Sequence, residues 1–517
     1  MFLRKDATKH VVKRVDTLIR KTTINTKIAF DKGEGSLMQS NPLVKQATGV
    51  SAFLLVGLAV VYSLVEMQFE MMIFLGVWAI IILILLIKIN VINKPQLSSV
   101  MYLLVMTTFL NQSVLSIHVG FFSIFLYRLL LIVAAMFFFS HVMKEKNLPY
   151  YWNQVNVKGV LLFLLFWFAY GAVSLLWAKS VFEGIKSLIL LGMGLLFVFL
   201  AVFIFRKMNH LFLFYGIWLV MTVLLMVIGL VNHFAQIQLP TSTLYGAPLY
   251  KLSFPTSVFF NQNDFATFLT ISFFFYLSLT KNSNQLFLKT TSFFLAIICV
   301  YLIYLTDSRA SLLGVMIGLA VYLYILLPAY LKRMAAIIGS LVFLVGTIAI
   351  IPKLIQLVNA STVYSGYEIL PSNVARLNLL KNTVHFLIET FGFGVGAGNV
   401  PYYLKNESVY ATNHVVEVHN WLAEIMGNFG VFIMLGYVTM YVYLFISLYR
   451  FYKVQRNRNQ KGLLEACMMG LIGFIVSSIS PSSVSNLFFH WVFLGFVICT
   501  VSVFSNKQYQ QHEENSY

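Results

Sequence analysis

The sequence predicts an all-α protein that crosses a membrane many times, and three observations support this fold class. The 517 residues are 59% hydrophobic and only 10% charged, whereas charged residues make up about a quarter of a soluble domain. Apolar runs close to the roughly 20 residues that span a bilayer recur along most of the chain. The connections between these runs alternate between basic and non-basic.

The positive net charge does not indicate a nucleic-acid partner. The chain has 36 Lys and Arg residues against 18 Asp and Glu residues, which gives a formal charge of +18. In a multi-pass membrane protein the basic cytoplasmic connections produce such an excess. The three cysteines, Cys299, Cys467 and Cys499, lie far apart inside apolar runs, so no disulfide framework or cysteine metal site is expected.

The first 46 residues are polar and basic and contain no apolar core of a cleavable signal peptide. They are predicted to form a cytoplasmic arm, and two interpretations of that arm remain open. Val12, Val15, Leu18 and Ile19 recur at helical spacing, as in a helix lying on an anionic leaflet. A disordered basic tail fits equally well.

About fourteen apolar runs follow the arm, and each is predicted to be a membrane-spanning helix. Eleven lie in residues 47–351 and three in residues 419–504, separated by a polar stretch, 352–418, and followed by a cytoplasmic tail, 505–517. The runs lie approximately at 47–65, 71–90, 97–113, 119–142, 159–177, 185–205, 211–232, 262–280, 288–306, 310–330, 334–351, 419–449, 462–480 and 485–504.

The charge of the connections predicts the orientation. From a cytoplasmic N-terminus, every even-numbered connection is rich in Lys and Arg, and the odd-numbered ones are not. Basic connections stay in the cytoplasm, so both termini are predicted to be cytoplasmic. Two long connections, 233–261 and 352–418, are then external, in a protein of the cytoplasmic membrane. Connections of this length are usually functional or disordered.

The second long connection is predicted to contain a helix that rests on the membrane surface. Ser372 or Asn373 could cap a helix that runs to about Thr390. Its apolar stripe would consist of Val374, Leu377, Val384, Leu387 and Ile388.

Three arginines are candidate ligands of an anionic substrate, because a charge in an apolar segment is expensive and a guanidinium suits bidentate phosphate contacts. Arg128 lies inside an apolar run; it either extends to a lipid headgroup or binds a substrate phosphate. Arg309 occupies a short external turn and either pairs with Asp307 or binds substrate. Arg376 lies in the long external connection.

Two polar motifs are open to both structural and functional interpretations. The run Asn261-Gln262-Asn263-Asp264 opens an apolar span, where one residue could cap the helix, and the others, chiefly Asn263 and Asp264, are candidate substrate ligands. The glycines at 392, 394, 396 and 398 allow either tight turns and packing or the close approach of a ligand. They are not a nucleotide fingerprint, since no strand precedes them.

His419 is the candidate general base, since an imidazole with a neighbouring carboxylate can accept a hydroxyl proton near neutral pH. Glu417 and Glu424 are the nearest acids, and Asn420 is a polar neighbour that could contact substrate. An interfacial histidine without catalytic role is the alternative. No pair of aspartates suited to magnesium occurs nearby, so neither a metal nor another cofactor is expected.

At these residues the chain resembles the O-antigen ligase and polymerase superfamily over about residues 120–500. The resemblance rests on Phe259 to Ala266, on Ser308-Arg309, on Arg376 followed by Gly394 to Asn399, and on His419-Asn420 with Gly430 eleven positions later. The form Val418 to Glu424 followed by Asn428-Phe429-Gly430 is most similar to the Gram-positive branch, which includes proteins of teichuronic acid biosynthesis. Asn428 stands where the family often has a glutamate.

The resemblance implies a GT-C-like, metal-independent, inverting glycosyltransferase that polymerises lipid-linked glycan at the outer face of the membrane. Its donor would be an oligosaccharide on undecaprenyl pyrophosphate, and its partners would be membrane lipid and a chain-length regulator or other polysaccharide-assembly proteins. The arginines would bind the pyrophosphate, and His419, with Glu424 or Glu417, would deprotonate the acceptor hydroxyl.

Two other functions remain open at this point. A ligase would transfer the same glycan to a different acceptor, and a transporter or flippase would move lipid-linked sugars without chemistry. A transporter should show internal repeats and polar residues along a central path. The polar residues of this chain collect at the predicted external ends of its spans instead, which favours an enzyme.

Overall fold

The computed structural model describes residues 69–88, 96–110, 117–119, 122–145, 152–363, 370–481, 483–485 and 487–506. The chain forms two compact units, residues 1–101 and 102–517. In the first unit the structure describes one complete helix and the start of a second. The site described below belongs entirely to the second unit. The predicted N-terminal arm, the first predicted span and most of the C-terminal tail lie outside the described residues.

The described residues are almost entirely helical. The helices are α1 (Phe69–Lys88), α2 (Gln96–Thr107), α3 (Leu126–Glu145), α4 (Lys158–Ser174), α5 (Val181–Ile204), α6 (Met208–Ala235), α7 (Leu249–Leu252), α8 (Gln262–Asn282), α9 (Leu286–Leu305), α10 (Arg309–Leu326), α11 (Ala329–Val363), α12 (Ser372–Glu389), α13 (Val400–Asn406), α14 (Trp421–Val454), α15 (Arg458–Ser477) and α16 (Phe488–Phe504). Two short strands, β1 (Ile117–Val119) and β2 (Phe122–Ile124), pair antiparallel in a hairpin.

The predicted fold class, an all-α polytopic membrane protein, is confirmed. Within the described ranges, eight helices are long and apolar enough to cross a membrane, and four further apolar helices are shorter. Every predicted span from 71–90 onward coincides with a helix. Most ends differ by a few residues, and the largest differences are at the start of the fourth span and the end of the eleventh. The strongest physical signal in the sequence, the length of its apolar runs, therefore located the helices correctly.

The hairpin is a correction to the fourth predicted span. The sequence predicts that this span begins at residue 119, but the helix begins at Leu126, and residues 117–119 and 122–124 form the two strands. A short apolar run has no periodicity that separates a strand from a helix. The run Phe121 to Phe125 is continuous with the helix in hydropathy, so the sequence could not reveal the boundary.

The centre of the second unit is formed by α8, α15 and α16. Most residues of these helices are buried, and α8 packs against α6, α9, α10 and α15. The outer helices α9 and α10 bury a smaller part of their apolar residues, and the most apolar part of α11, within Ala329–Lys353, is not buried in the protein at all. Apolar side chains that the protein does not cover are consistent with contact to lipid.

Polar contacts join the helix ends that the charge pattern assigns to the cytoplasm. Glu465 in α15 is 1% exposed, and its carboxylate pairs with Lys281 and accepts hydrogen bonds from Asn282 Nδ2 (2.7 Å) and Tyr322 OH (2.8 Å). The Lys281 ammonium also lies 5.2 Å from the centre of the Tyr322 ring. A buried carboxylate requires such partners. This cluster holds α8, α10 and α15 together at the end opposite the site.

The start of the long connection differs from the prediction. α11 continues through Pro352 to Val363, so helix extends past the predicted start of the connection at residue 352. The helix predicted from Ser372 or Asn373 to about Thr390 is present as α12, although its N-cap position is Pro371 and no side chain caps it.

The predicted apolar stripe of α12 is divided, since Val374 and Leu387 are buried in the protein, and its contact with the membrane surface stays a prediction. Val384 and Ile388 are 44% and 70% exposed, whereas Asn378 and Asn382 are buried. Asn382 Oδ1 accepts hydrogen bonds from the backbone N–H groups of Val409 (2.9 Å) and Tyr410 (3.0 Å). Because these amides hold the segment before His419, α12 buries polar residues that an apolar stripe cannot reveal.

The glycine cluster packs against a break in α14. Gly430 interrupts this helix with φ 82° and ψ 177°, a backbone that only glycine adopts readily. The exposed carbonyls of Gly427 and Asn428 accept hydrogen bonds from Val395 N (2.9 Å) and Gly396 N (3.0 Å). The cluster's amides therefore bind protein atoms, which agrees with the packing interpretation and not with a phosphate cradle.

Gly430→Ala should destabilise the protein strongly. The new Cβ would lie about 2.6 Å from Phe393 O, and the backbone strain alone costs about 1–3 kcal/mol. Gly246→Ala is a matched control, because Gly246 also has a positive φ (71°) but lies in open space. Thermal unfolding of both purified variants in detergent measures the difference; equal shifts in Tm would contradict the close packing.

Candidate active site

A polar cavity of about 660 Å³ lies where the first turns of three helices meet. Gln262 and Asn263 come from α8, Arg309 and Ala310 from α10, and Ser372, Asn373 and Arg376 from α12. Thr306, Asp307 and Ser480 complete the lining. The structure therefore brings two of the three candidate arginines, Arg309 and Arg376, to one cavity although they lie 67 positions apart in the sequence.

The helix ends around the cavity favour an anion. A helix N-terminus carries unpaired N–H groups and a partial positive charge. Asn261 caps α8, since its Oδ1 accepts from the N–H groups of Asn263 (2.9 Å) and Asp264 (3.0 Å). No side chain caps α10, where Ser308 is the N-cap, or α12. Two uncapped helix N-termini thus add to the positive charge of the cavity.

Neither cavity arginine is neutralised by the protein. Across the described ranges, Arg309 and Arg376 form no ion pair or hydrogen bond with a protein group. The alternative of an Asp307–Arg309 pair is therefore not what the structure has, although Asp307 also lines the cavity. Two guanidiniums without a carboxylate partner in one cavity can bind a doubly charged anion.

Ser480 connects the cavity to the candidate base. Its Oγ donates a hydrogen bond to Asn263 Oδ1 (2.8 Å) and lies 3.2 Å from Ser308 Oγ. Its carbonyl oxygen lies 3.3 Å from His419 Nδ1. Three segments that are distant in the sequence meet at this one serine, which is 2% exposed.

The contact of His419 with the Ser480 carbonyl indicates which ring nitrogen is basic. A carbonyl oxygen can only accept, so Nδ1 must donate its hydrogen to Ser480 O, and the lone pair of the neutral ring is then on Nε2. His419 precedes α14 and has a positive φ of 54°, which is uncommon for a residue with a side chain. Partial burial lowers the pKa of the imidazole, and the positive charge of Arg376 lowers it further.

Glu424 and Asn420 have protein partners of their own. The Glu424 carboxylate accepts hydrogen bonds from Ser483 Oγ (2.7 Å), Ser485 Oγ (2.6 Å) and Val484 N (3.2 Å). Asn420 is the N-cap of α14, and its Oδ1 accepts from Ala423 N (3.1 Å). Asn420 thus has a structural role in this geometry, and the catalytic and substrate roles predicted for the two residues stay predictions.

Three other predicted site residues do not line the cavity. Arg128 is buried, with its guanidinium carbon 4.7 Å from the centre of the Phe125 ring and 5.8 Å from that of Phe488. Asp264 is 6% exposed, one position further into α8 than Asn263. Glu417 is exposed to solvent. Its negative charge raises the pKa of His419, whereas burial and the positive charge of Arg376 lower it.

Ser480, Ser483 and Ser485 belong to no motif that indicates a role for them in the sequence. The signal that could have indicated them is the density of serine in the connection from Ser477 to Ser485, between two apolar spans. Hydroxyls concentrated at a helix end usually bind backbone or side-chain groups. Among the described residues, no cluster of three or more His, Cys, Asp or Glu could hold a metal ion.

Comparison with known proteins decides the family. A family model described as O-antigen ligase matches residues 294–438, a range that includes Arg309, Arg376 and His419. The teichuronic acid biosynthesis protein TuaE of Bacillus subtilis is 51% identical over 410 residues, which cover 78% of this chain and 84% of that protein. The chain belongs to the O-antigen ligase and polymerase superfamily.

Membership of the O-antigen ligase and polymerase superfamily, together with the apolar helices, makes this chain a multi-pass membrane protein of polysaccharide biosynthesis. The family implies lipid-linked glycans as its class of substrate. Within the superfamily the chain is TuaE-like.

The pKa of His419 can be measured without any substrate. Diethyl pyrocarbonate reacts with the neutral imidazole, so the pH midpoint of His419 modification, followed by mass spectrometry, reports its pKa. Because burial and Arg376 both lower this pKa, the midpoint should lie below the ordinary 6.5. Arg376→Gln removes one of the two causes and should move the midpoint to higher pH. A midpoint that Arg376→Gln leaves unchanged would mean that the two groups do not interact.

Proposed function

We propose that this protein polymerises oligosaccharide repeat units carried on undecaprenyl pyrophosphate, at the outer face of the cytoplasmic membrane. The observation that supports this function best is the shared cavity of Arg309 and Arg376, with His419 held at Ser480 in its wall. The alternation of basic connections supports the outward orientation. The family supports the class of substrate.

The cavity suits the diphosphate of the donor. Arg309 and Arg376 would each offer a planar fork of donors to the phosphate oxygens, and the uncapped N-termini of α10 and α12 would add their dipoles. Negative charge on the diphosphate increases as its bond to the sugar breaks. Groups placed where charge develops stabilise the transition state more than the ground state.

His419 would act as the general base on the acceptor. In the proposed step the acceptor hydroxyl gives its proton to Nε2, its oxygen forms a bond to the anomeric carbon of the donor, and the diphosphate leaves with the electron pair of the broken bond. A single displacement of this kind inverts the anomeric carbon. The lowered pKa of His419 keeps the ring neutral and ready to accept a proton at neutral pH.

The polar residues favour an enzyme over a transporter, and the comparisons favour polymer synthesis. Gln262, Asp307, Arg309, Arg376 and Ser480 all lie at one end of the helices around one cavity, whereas a transport path needs polar groups through the membrane. TuaE is named for the biosynthesis of teichuronic acid, which supports a role in making a polysaccharide, and the description of the family model, O-antigen ligase, makes a ligase the second candidate. A ligase differs only in its acceptor, so the donor site would be the same.

Purified protein supplied only with lipid-linked repeat units should form longer lipid-linked products. A ligase would form none without a second acceptor, so this assay separates the two functions. His419→Ala should lower the rate by about 10²–10⁴-fold, the usual contribution of a general base. Full activity in a normally folded His419→Ala protein would reject His419 as the base, and the absence of longer products from the wild type would reject the polymerase.

Arg376→Lys should be poorly tolerated although it keeps the charge. An ammonium cannot make the two parallel hydrogen bonds of a guanidinium, so kcat/KM for the donor should fall. Arg333→Lys is a matched control on the predicted cytoplasmic side, away from the cavity. The comparison is made in the same chain-lengthening assay, and normal turnover of Arg376→Lys would argue against a bidentate phosphate contact.

A further inference from the structure

The connection between α15 and α16 is bonded to the segment that carries His419 at three places. Trp421 N donates to Ser478 O (3.2 Å), and His419 Nδ1 donates to Ser480 O (3.3 Å). The third contact is the Glu424 carboxylate, which binds Ser483, Val484 and Ser485. The backbone around the candidate base is therefore fixed from one side by the described residues, 478–481 and 483–485, of one short serine-rich connection (the 478–485 connection).

The contacts of Glu424 are those of an anchor. Both carboxylate oxygens accept hydrogen bonds from the connection, Oε1 from two hydroxyls and Oε2 from a backbone N–H. Hydrogen bonds to a carboxylate are stronger than those between neutral groups. Three of the roughly four acceptor positions of this carboxylate are therefore taken by the protein, which favours an anchoring role over the transfer of a proton from a sugar hydroxyl.

The Ser480 carbonyl lies between this anchor and the base. Ser480 is three positions before Ser483, so a shift of the anchored end would move the carbonyl that binds His419 Nδ1. Without that acceptor, the imidazole could take the other tautomer, with its hydrogen on Nε2, which cannot accept the proton of the hydroxyl. The ring would also be free to turn about its side-chain bonds.

We propose that Glu424 is a positioning residue: by binding Ser483, Val484 and Ser485 it fixes the Ser480 carbonyl, and this carbonyl selects the His419 tautomer with a basic Nε2. This proposal rests on the proposed function, in which His419 is the base. It assigns Glu424 to the orientation of that base and not to proton transfer. Ser483 and Ser485 would bind the Glu424 carboxylate, and Ser480 would supply the carbonyl that binds His419.

Removal of either side of the anchor should have the same effect. Glu424→Gln, and separately Ser483→Ala with Ser485→Ala, should lower kcat by roughly 10²-fold, the cost of a small misplacement of a catalytic group. The KM for the lipid-linked donor should not change, since Arg309 and Arg376 are untouched. Combining all three substitutions should lower kcat no further than either set alone, because both sets break the same link.

The pH dependence separates positioning from proton transfer. In Glu424→Gln the profile of kcat/KM should keep an acidic limb, because His419 still titrates, and only the height of the profile should fall. If Glu424 were the base, its substitution would remove that limb, and the serine substitutions would have little effect. Loss of the limb, multiplying effects of the two sets, or wild-type kcat in Glu424→Gln would each overturn the proposal.

Two controls keep the test interpretable. Glu407→Gln removes a carboxylate that pairs with Lys179 (2.6 Å) outside the 478–485 connection, and it should leave kcat unchanged. Size-exclusion chromatography in detergent verifies folding; if Glu424→Gln fails to fold, the serine variant, which retains the carboxylate, still tests the loss of kcat at constant KM. His419→Ala separates failure of the proposed function from failure of the positioning role. If His419→Ala is active, His419 is not the base. If it is inactive but the effects of Glu424→Gln and of the serine substitutions on kcat multiply, only the positioning role is rejected.

Discussion

The hydrogen bonds of Ser480 are the interaction on which the site depends. One buried serine bonds to the start of α8 through Asn263 and to His419 through its carbonyl, and its hydroxyl also lies beside that of Ser308 at the N-cap of α10. In a largely apolar interior each of these bonds is worth more than in water, and each is costly to leave unmade. The arginine on α10 and the imidazole before α14 are therefore held in a fixed relation by a residue that need not touch substrate.

A second constraint comes from the backbone. The glycine cluster and Gly430 approach each other so closely that side chains at Gly394 or Gly430 would overlap backbone atoms. The carbonyls that the break in α14 frees are bound by amides of the cluster. An interrupted helix is tolerated at membrane depth only where such partners are present. The long connection between α11 and α14 is thereby fixed to the bundle.

The sequence predicted what depends on local chemistry. Apolar length located the helices. The residue types indicated Arg309 and Arg376, as guanidiniums suited to phosphate, and His419, as an imidazole near carboxylates. The two arginines share a cavity that the histidine adjoins. What the sequence could not predict are contacts between distant segments. Neither the bonds of Ser480 and Glu424 nor the buried amides of Asn378 and Asn382 follow from an apolar pattern. The strands at 117–119 and 122–124 resemble helix in hydropathy. Arg128 satisfied the same rule as the cavity arginines, yet the structure places it against aromatic rings instead.

Because the glycine cluster pairs with the break in α14, the long connection cannot be separated from the membrane helices as an independent module. Val395 and Gly396 supply hydrogen bonds that a membrane helix lacks at its interruption, and Tyr170 and Trp177 donate to the carbonyls of Phe393 and Gly394. An excised soluble fragment would lose these partners, and the remaining membrane part would retain unsatisfied carbonyls in an apolar surrounding. Exchange of this connection between relatives is therefore an exchange of part of the membrane scaffold, and it requires the matching turn of α14 to be transferred with it.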